Sequence, residues 1–203
     1  MDNQQKLIVG ITGGIGSGKS RVCQYLAEIC HLPVVNLDII CKDLLAKGAP
    51  GYQALQKELG EVFFTLSGEL DRVLFRTAIF SDRKLRQQVN SILHPLARQE
   101  MLRQISGLSG TVLIEIPLLF EAGWQGDVDY IVVVYADDDI CCQRIVQRDS
   151  VVKDQAVNSI AAQHSLADKA RQADVVIDNS GHWVDTCHQV NVFAKDLCPN
   201  DVF

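Results

Sequence analysis

A parallel α/β sheet of about five short strands, with helices on both faces and a helical insert, is the fold class the sequence predicts. Three observations carry it. Short apolar, β-branched runs recur along the 203 residues and are separated by segments with helical spacing. The first of these runs is stopped by a glycine-rich loop that opens a helix. After the second run, about 70 residues carry helix-like spacing and no clear strand, far more than a simple connection needs.

The elements follow in order. Leu7 to Thr12 is apolar, β-branched and stopped by Gly13-Gly14, so it reads as a buried strand. Val22, Leu26 and Ile29, with Cys23, Ala27 and Cys30, then recur at helical spacing until His31-Leu32-Pro33. Pro33 to Val35 opens a second short strand, completing a βαβ unit. From Asp38 to Ser106 the spacing predicts helices over 43–59, 74–80 and 84–105. Gly48-Ala49-Pro50-Gly51, Ser67-Gly68 and His94-Pro95 punctuate them. Strands return over 111–116, closed by Pro117, and over 129–134, whose apolar middle suits burial on both faces. A helix with an acidic start covers 138–148, and a second helical stretch covers 151–173. A last strand over 174–177 and a closing helix over 182–197 finish the pattern, with no internal repeat.

Composition narrows the function classes. With 47% hydrophobic and 22% charged residues the chain is an ordinary globular sequence, not a disordered one. The net charge of −6 gives no basic field for nucleic acid, so an anionic ligand needs a local cluster of positive groups. Seven cysteines do not form a disulfide pattern: the number is odd, Cys141 and Cys142 are adjacent, and no CxxC exists. They read as small buried hydrophobes in a reducing compartment. Met1 to Lys6 is polar, and no apolar run reaches the ~18 residues of a membrane span. A cytoplasmic protein without membrane partners is expected.

The chemistry begins at Gly13-Gly14-Ile15-Gly16-Ser17-Gly18-Lys19-Ser20, which fits G-x-x-x-x-G-K-[ST]. Glycines let backbone N–H groups turn inward, and those groups with the helix N-terminus bind phosphate oxygens. Lys19 is placed to reach the β/γ phosphates and Ser20 to ligate Mg²⁺. This makes the sheet a P-loop NTPase-type sheet, with a nucleoside triphosphate and Mg²⁺ as the expected ligands. An Asn-Lys-x-Asp element for guanine is absent, and Leu108-Ser109-Gly110 reads as a turn rather than a transporter signature.

Other residues leave alternatives open. Asp38 follows the second strand at the carboxyl edge of the sheet, where it suits a general base or a Mg²⁺ partner, and equally a helix N-cap. Glu115 ends a strand, as a metal-holding acid or a solvated charge. Arg144 and Arg148 lie four apart on one helix, for phosphates or as a solvated face. His94, and the pair Arg72 and Arg76, suit an acceptor site or plain structure, and Asn179 suits an adenine edge or a turn.

Taken together and in order, these pieces resemble the dephospho-CoA kinase family. The resemblance rests on Gly10 to Ser20, Val34 to Ile40, Gly48 to Gly51, Leu70-Asp71-Arg72, Ile79-Phe80, and Leu93-His94-Pro95-Leu96. It continues through Ile116-Pro117-Leu118-Leu119-Phe120-Glu121, Arg144 to Asp149, and Ala173 to Gly181. It implies ATP-dependent phosphorylation of the ribose 3′-hydroxyl of dephospho-CoA; a monomer or weak homo-oligomer is expected. It also implies a core (1–40, 109–143, 174–203), a helical CoA-binding insert (about 41–108) and a lid (about 144–173). Carried over by position, Asp38, Lys19 and Arg144 are catalytic, and Ser20 and Asp38 hold metal. Gly14, Gly16, Ser17, Gly18, Lys19, Ser20, Arg21, Arg144, Arg148 and Asn179 bind nucleotide. Asp38, Arg76, His94, Leu118 and Phe120 bind the acceptor. Three positions depart from the family pattern: Asn36 in place of the first acid of Asp-Ala-Asp, Arg21 in place of Ser or Thr, and Glu115 in place of a frequent Asp. The insert and the Ile116 to Leu119 run argue against another small kinase, and Lys19, Ser20 and Asp38 against a non-catalytic ATP switch.

Overall fold

A computed structural model describes residues 6–198. Five strands form one sheet: β1 (Leu7–Gly13), β2 (Val34–Asn36), β3 (Thr111–Glu115), β4 (Tyr130–Tyr135) and β5 (Val175–Asp178). Every pairing is parallel, in the order β2-β3-β1-β4-β5. Central β1 is covered on both faces, which is why its residues from Val9 onward are all buried. The strand order reverses beside β1, so the carboxyl ends of β1 and its neighbours open the crevice where such sheets bind ligands.

Strand boundaries differ slightly from the sequence reading, for a local reason. Asp129 and Asp174 lie just before β4 and β5, and their carboxylates accept from the N–H groups of Ile8 and Ile131, each at 2.8 Å. A residue whose side chain takes the neighbouring strand's N–H ties the ladder's end, so each strand starts one residue later than predicted.

Helix α1 (Lys19–Cys30) follows β1 and buries Val22, Cys23, Leu26 and Cys30. His31 ends it in the left-handed conformation. These side chains pack with Val9, Ile11, Leu113, Val132, Val134 and Ile177 of the sheet and with Val190, Phe193 and Ala194 of the closing helix, Trp183–Leu197.

The chain divides into two compact units, one running to Asn36 and resuming at Leu108, the other Leu37–Gly107. The second unit is helical: α2 (Leu37–Leu44), α3 (Pro50–Leu59), α4 (Arg72–Ser81) and α5 (Arg83–Ser106). Pro50 starts α3, where its missing N–H costs nothing. Asp71 and Asp82 cap α4 and α5, accepting from Leu74 N–H and from Lys84 and Leu85 N–H. Leu55, Phe63, Phe75 and Val89 form its core. Here His94-Pro95 does not punctuate the helices: Pro95 lies inside α5. An interior proline costs about 3 kcal/mol, and burial of Val89, Ala97, Met101 and Ile105 along one face of α5 offsets it.

Within the first unit, α6 (Asp138–Asp149) is followed by two short helices, α7 (Lys153–Ala161) and α8 (Leu166–Ala170), rather than one helical stretch over 151–173. Ser165 breaks the run: its hydroxyl accepts from Asp168 N–H and caps α8. α9 (Trp183–Leu197) closes the unit. All seven cysteines are free thiols. Among the described residues, no helix is long and apolar enough to cross a membrane.

Candidate active site

The loop between β1 and α1 is shaped by two glycines. Gly16 and Gly18 have φ of 82° and 87°, a region that favours glycine. A Cβ on Gly16 would sit 2.6 Å from the Cys141 carbonyl, and one on Gly18 would collide with the Asn179 amide. Gly18 is the N-cap of α1 and makes no side-chain cap, so no capping side chain competes with an anion at the helix N-terminus.

Gly16, Gly18, Lys19, Ser20, Arg144, Gln147 and Arg148 line one cavity of about 340 Å³. Six of the sequence-predicted nucleotide residues therefore meet at one place. Two of the chain's cations face it from α6: Arg148 is exposed and forks onto Asp149, with both contacts at 2.8 Å. Arg144 reaches further in. Its Nη1 donates to the carbonyls of Gly16 and Ser17 at 3.3 and 3.4 Å, and its Nη2 to the carbonyl of Asn179 at 2.8 Å.

Asn179 stands differently from a free adenine-reading amide. It is buried; its Nδ2 donates to the Ser17 carbonyl at 2.7 Å, and its Oδ1 accepts from Thr186 Oγ1 at 3.0 Å. The side chain is spent on holding the loop against β5 and α9. Ser17 lies beneath the loop with its side chain fully buried. Arg21 points away: its N–H bonds to the Gly18 carbonyl, and its guanidinium stacks 3.7 Å over the Trp183 ring. Gly14 packs toward Leu166, on a second cavity of about 250 Å³. Phe120 is buried in the turn after β3, and Leu118 there is half-buried.

Glu115, at the end of β3, is 3% exposed. This excludes the solvated strand-end charge that the sequence left open. Its Oε1 accepts from Ser20 Oγ at 2.5 Å and its Oε2 from Asn36 Nδ2 at 2.6 Å. Oxygen donors of this kind suit Mg²⁺.

Sequence reasoning missed the ties that hold this half of the site. Gln163 Oε1, between α7 and α8, accepts from Ile15 N–H at 2.9 Å. Glu121 accepts from His164 N–H and pairs with fully buried Lys169 at 2.8 Å. No local pattern announces contacts across such sequence distances. Neither Cys23 nor Cys141 offers a nucleophile: burial pushes the first thiol up to about 12, with the Glu115 charge adding to it, and the second to about 11.

The remaining predicted residues belong to the helical unit. Asp38 is exposed and lies in the first turn of α2, so it is not the N-cap of a helix starting at Ile39. Arg76 is exposed on α4. His94 is half-buried on α5, and burial lowers its pKa.

A sequence profile described as Dephospho-CoA kinase matches residues 7–185. The chain is 38% identical over 189 residues to a dephospho-CoA kinase of Bacillus licheniformis, covering 91% of this chain and 94% of that one. It is 41% identical to one of Shewanella oneidensis, covering 87% and 86%. A crystal structure of a Thermus thermophilus protein superimposes with a TM-score of 0.76 at 29% identity, over 95% of this chain and 98% of that one. With profile, relatives and phosphate-loop geometry in agreement over most of its length, the chain belongs to the dephospho-CoA kinase family.

Proposed function

We propose that the protein transfers the γ-phosphoryl group of ATP to the ribose 3′-hydroxyl of dephospho-CoA, giving coenzyme A and ADP, the last step of coenzyme A biosynthesis. The observation that carries this is the single cavity in which Lys19, Ser20, Arg144 and Arg148 meet the loop, in a chain of this family. The seven free thiols support a reducing, cytoplasmic setting.

The mechanism follows from the residues. Loop N–H groups and Lys19 hold the β and γ phosphates and offset the charge that spreads over the transferring group. Arg144 ties the loop carbonyls to Asn179, so the cradle is set before nucleotide arrives. Arg148 is released from Asp149 to meet phosphate, and with the 144–173 segment acts as a lid that excludes water. Ser20 and Asp38, with Glu115 behind Ser20, are the residues that would hold Mg²⁺. Mg²⁺ held there would supply charge neutralisation for the transferring phosphoryl group. Asp38 takes the proton of the 3′-hydroxyl as its oxygen bonds to the γ-phosphorus and the bond to ADP breaks. The helical unit, with Arg76 and His94, takes the acceptor. Leu118 adds apolar contact, whereas Phe120, being buried, shapes the turn rather than touching the ligand.

A coupled ADP-release assay tests this with dephospho-CoA, adenosine and nucleoside monophosphates as acceptors. Turnover with dephospho-CoA alone is expected, with 3′-phosphorylated product by mass and ³¹P spectra. Equal turnover with a nucleoside monophosphate overturns the assignment.

A further inference from the structure

We infer that Asn36 is a positioning residue that sets the Mg²⁺ affinity of this site by orienting Glu115 against Ser20, an inference that rests on the metal role proposed for Ser20. Asn36 and Glu115 are direct register partners at the carboxyl ends of β2 and β3. Between them they make a three-residue chain. Asn36 Nδ2 donates to one carboxylate oxygen at 2.6 Å, and Ser20 Oγ donates to the other at 2.5 Å.

A carboxylate this deeply buried costs free energy unless its oxygens are met by donors. The two donors approach different oxygens, so together they fix the plane of the group. Its Oε1 is thereby held on Ser20, whose hydroxyl proton turns toward Glu115. The lone pairs of that hydroxyl are left for the cavity that Ser20 lines. An acid at position 36 would set a second carboxylate against the first, whereas the amide supplies the proton the contact needs. The two departures from the family's usual acids, Asn36 and Glu115, are thus partners in one contact, and the longer Glu side chain spans the gap between Asn36 and Ser20.

Partners of this outer kind are worth about 10- to 100-fold in metal affinity. Calorimetric titration of the full chain with ADP, in EDTA and then in Mg²⁺, reads the effect without turnover. The ratio of the two affinities is the Mg²⁺ enhancement. Asn36→Ala is expected to leave the EDTA affinity within about twofold of wild type and to cut the enhancement about tenfold. In a Glu115→Gln background the same Asn36→Ala change is expected to alter the enhancement less than about twofold, because a residue acting through another has no effect once that one is lost. Asn36→Val, which suits a strand and carries no donor, serves as the second variant should alanine compromise folding. Undiminished enhancement in either folded variant overturns the inference, and so does an equal loss in both backgrounds. Absence of any Mg²⁺ enhancement in the wild type removes the metal site itself, and the inference with it.

Discussion

At the scale of single residues, Asp38 carries the sharpest test. It lies exposed in the first turn of α2, where its charge meets the positive end of the helix. Asp38→Asn keeps the size and removes the charge, so the structural cost is bounded by the dipole contribution, about 0.3–1 kcal/mol. Loss of a general base costs about 10²-fold or more in rate. Kinase turnover is therefore expected to fall by about that factor while the melting temperature moves little and ADP binding survives, as calorimetry and thermal melts will show. Near-normal phosphorylation by the variant removes the base from the mechanism. His94 offers a pH test. Burial lowers its pKa from the ordinary 6.5, so the unfolded chain takes up the proton first as pH falls. Its contribution to stability is complete above about pH 6.5 and declines below it, toward the lowered native value. The urea midpoint of the wild type should drop more between pH 7.5 and 5.5 than that of His94→Gln; equal drops exclude the effect. The shape of the loop from Gly13 to Ser20 was legible because its left-handed positions at Gly16 and Gly18 call for glycine. Asn179 was legible in place but not in task, since only the fold shows that its amide is already taken by Ser17 and Thr186.

Elements show where local pattern loses to long-range contact. The helix through Pro95 is such a case, whereas the break at Ser165 is set locally. In the first, a buried stripe on α5 outweighs a proline; in the second, a cap signal lay unread in Ser165-Leu-Ala-Asp168. The five strands and the helical insert, by contrast, were legible because continuous apolar, β-branched runs and helical spacing are local properties. The connection from α6 through α8 is the element with a functional consequence. Ile15 of the loop packs against the cluster of Cys142, Ile145 and Ala156 on α6 and α7. The Gln163 bond to Ile15 N–H adds a polar tie from the turn beyond. As the proposed lid, moored to the loop, this segment should respond when phosphates fill it. Hydrogen exchange over 144–162 is expected to slow on adding ATP, and Gln163→Ala should speed exchange at Ile15 in the free protein without changing strand amides. Equal exchange with and without nucleotide excludes the lid.

On the scale of the whole molecule, the two units bury unequal amounts of apolar surface. In the first unit, sheet residues Val9, Ile11, Leu113, Val132, Val134 and Ile177 are buried on α1 and α9. In the helical unit Leu55, Phe63, Phe75 and Val89 form the cluster around which half-buried side chains pack, and Ile40, Tyr52, Ala97, Met101 and Ile105 are buried as well; the buried apolar set is still the smaller of the two. Less buried apolar surface means a smaller opening free energy, so the helical unit should open by itself below the denaturant concentration that unfolds the sheet. Nucleotide sharpens the test. On the proposed function ADP is held by Lys19 and the loop, which belong to the first unit, so it should stabilise only openings that destroy the loop. At a ligand concentration of 100 times Kd that stabilisation is about 2.7 kcal/mol. Native-state hydrogen exchange at rising guanidinium should therefore separate two sets of amides. Those of β1, β3 and β4 should gain close to the full amount on adding Mg²⁺ and ADP. Amides of α3 and the N-terminal half of α5 should gain almost nothing, because the helical unit can open with nucleotide still seated. If both sets merge into one opening with one ligand dependence, the chain is a single cooperative body, and acceptor binding to the helical unit must then stabilise the nucleotide loop by the same free energy.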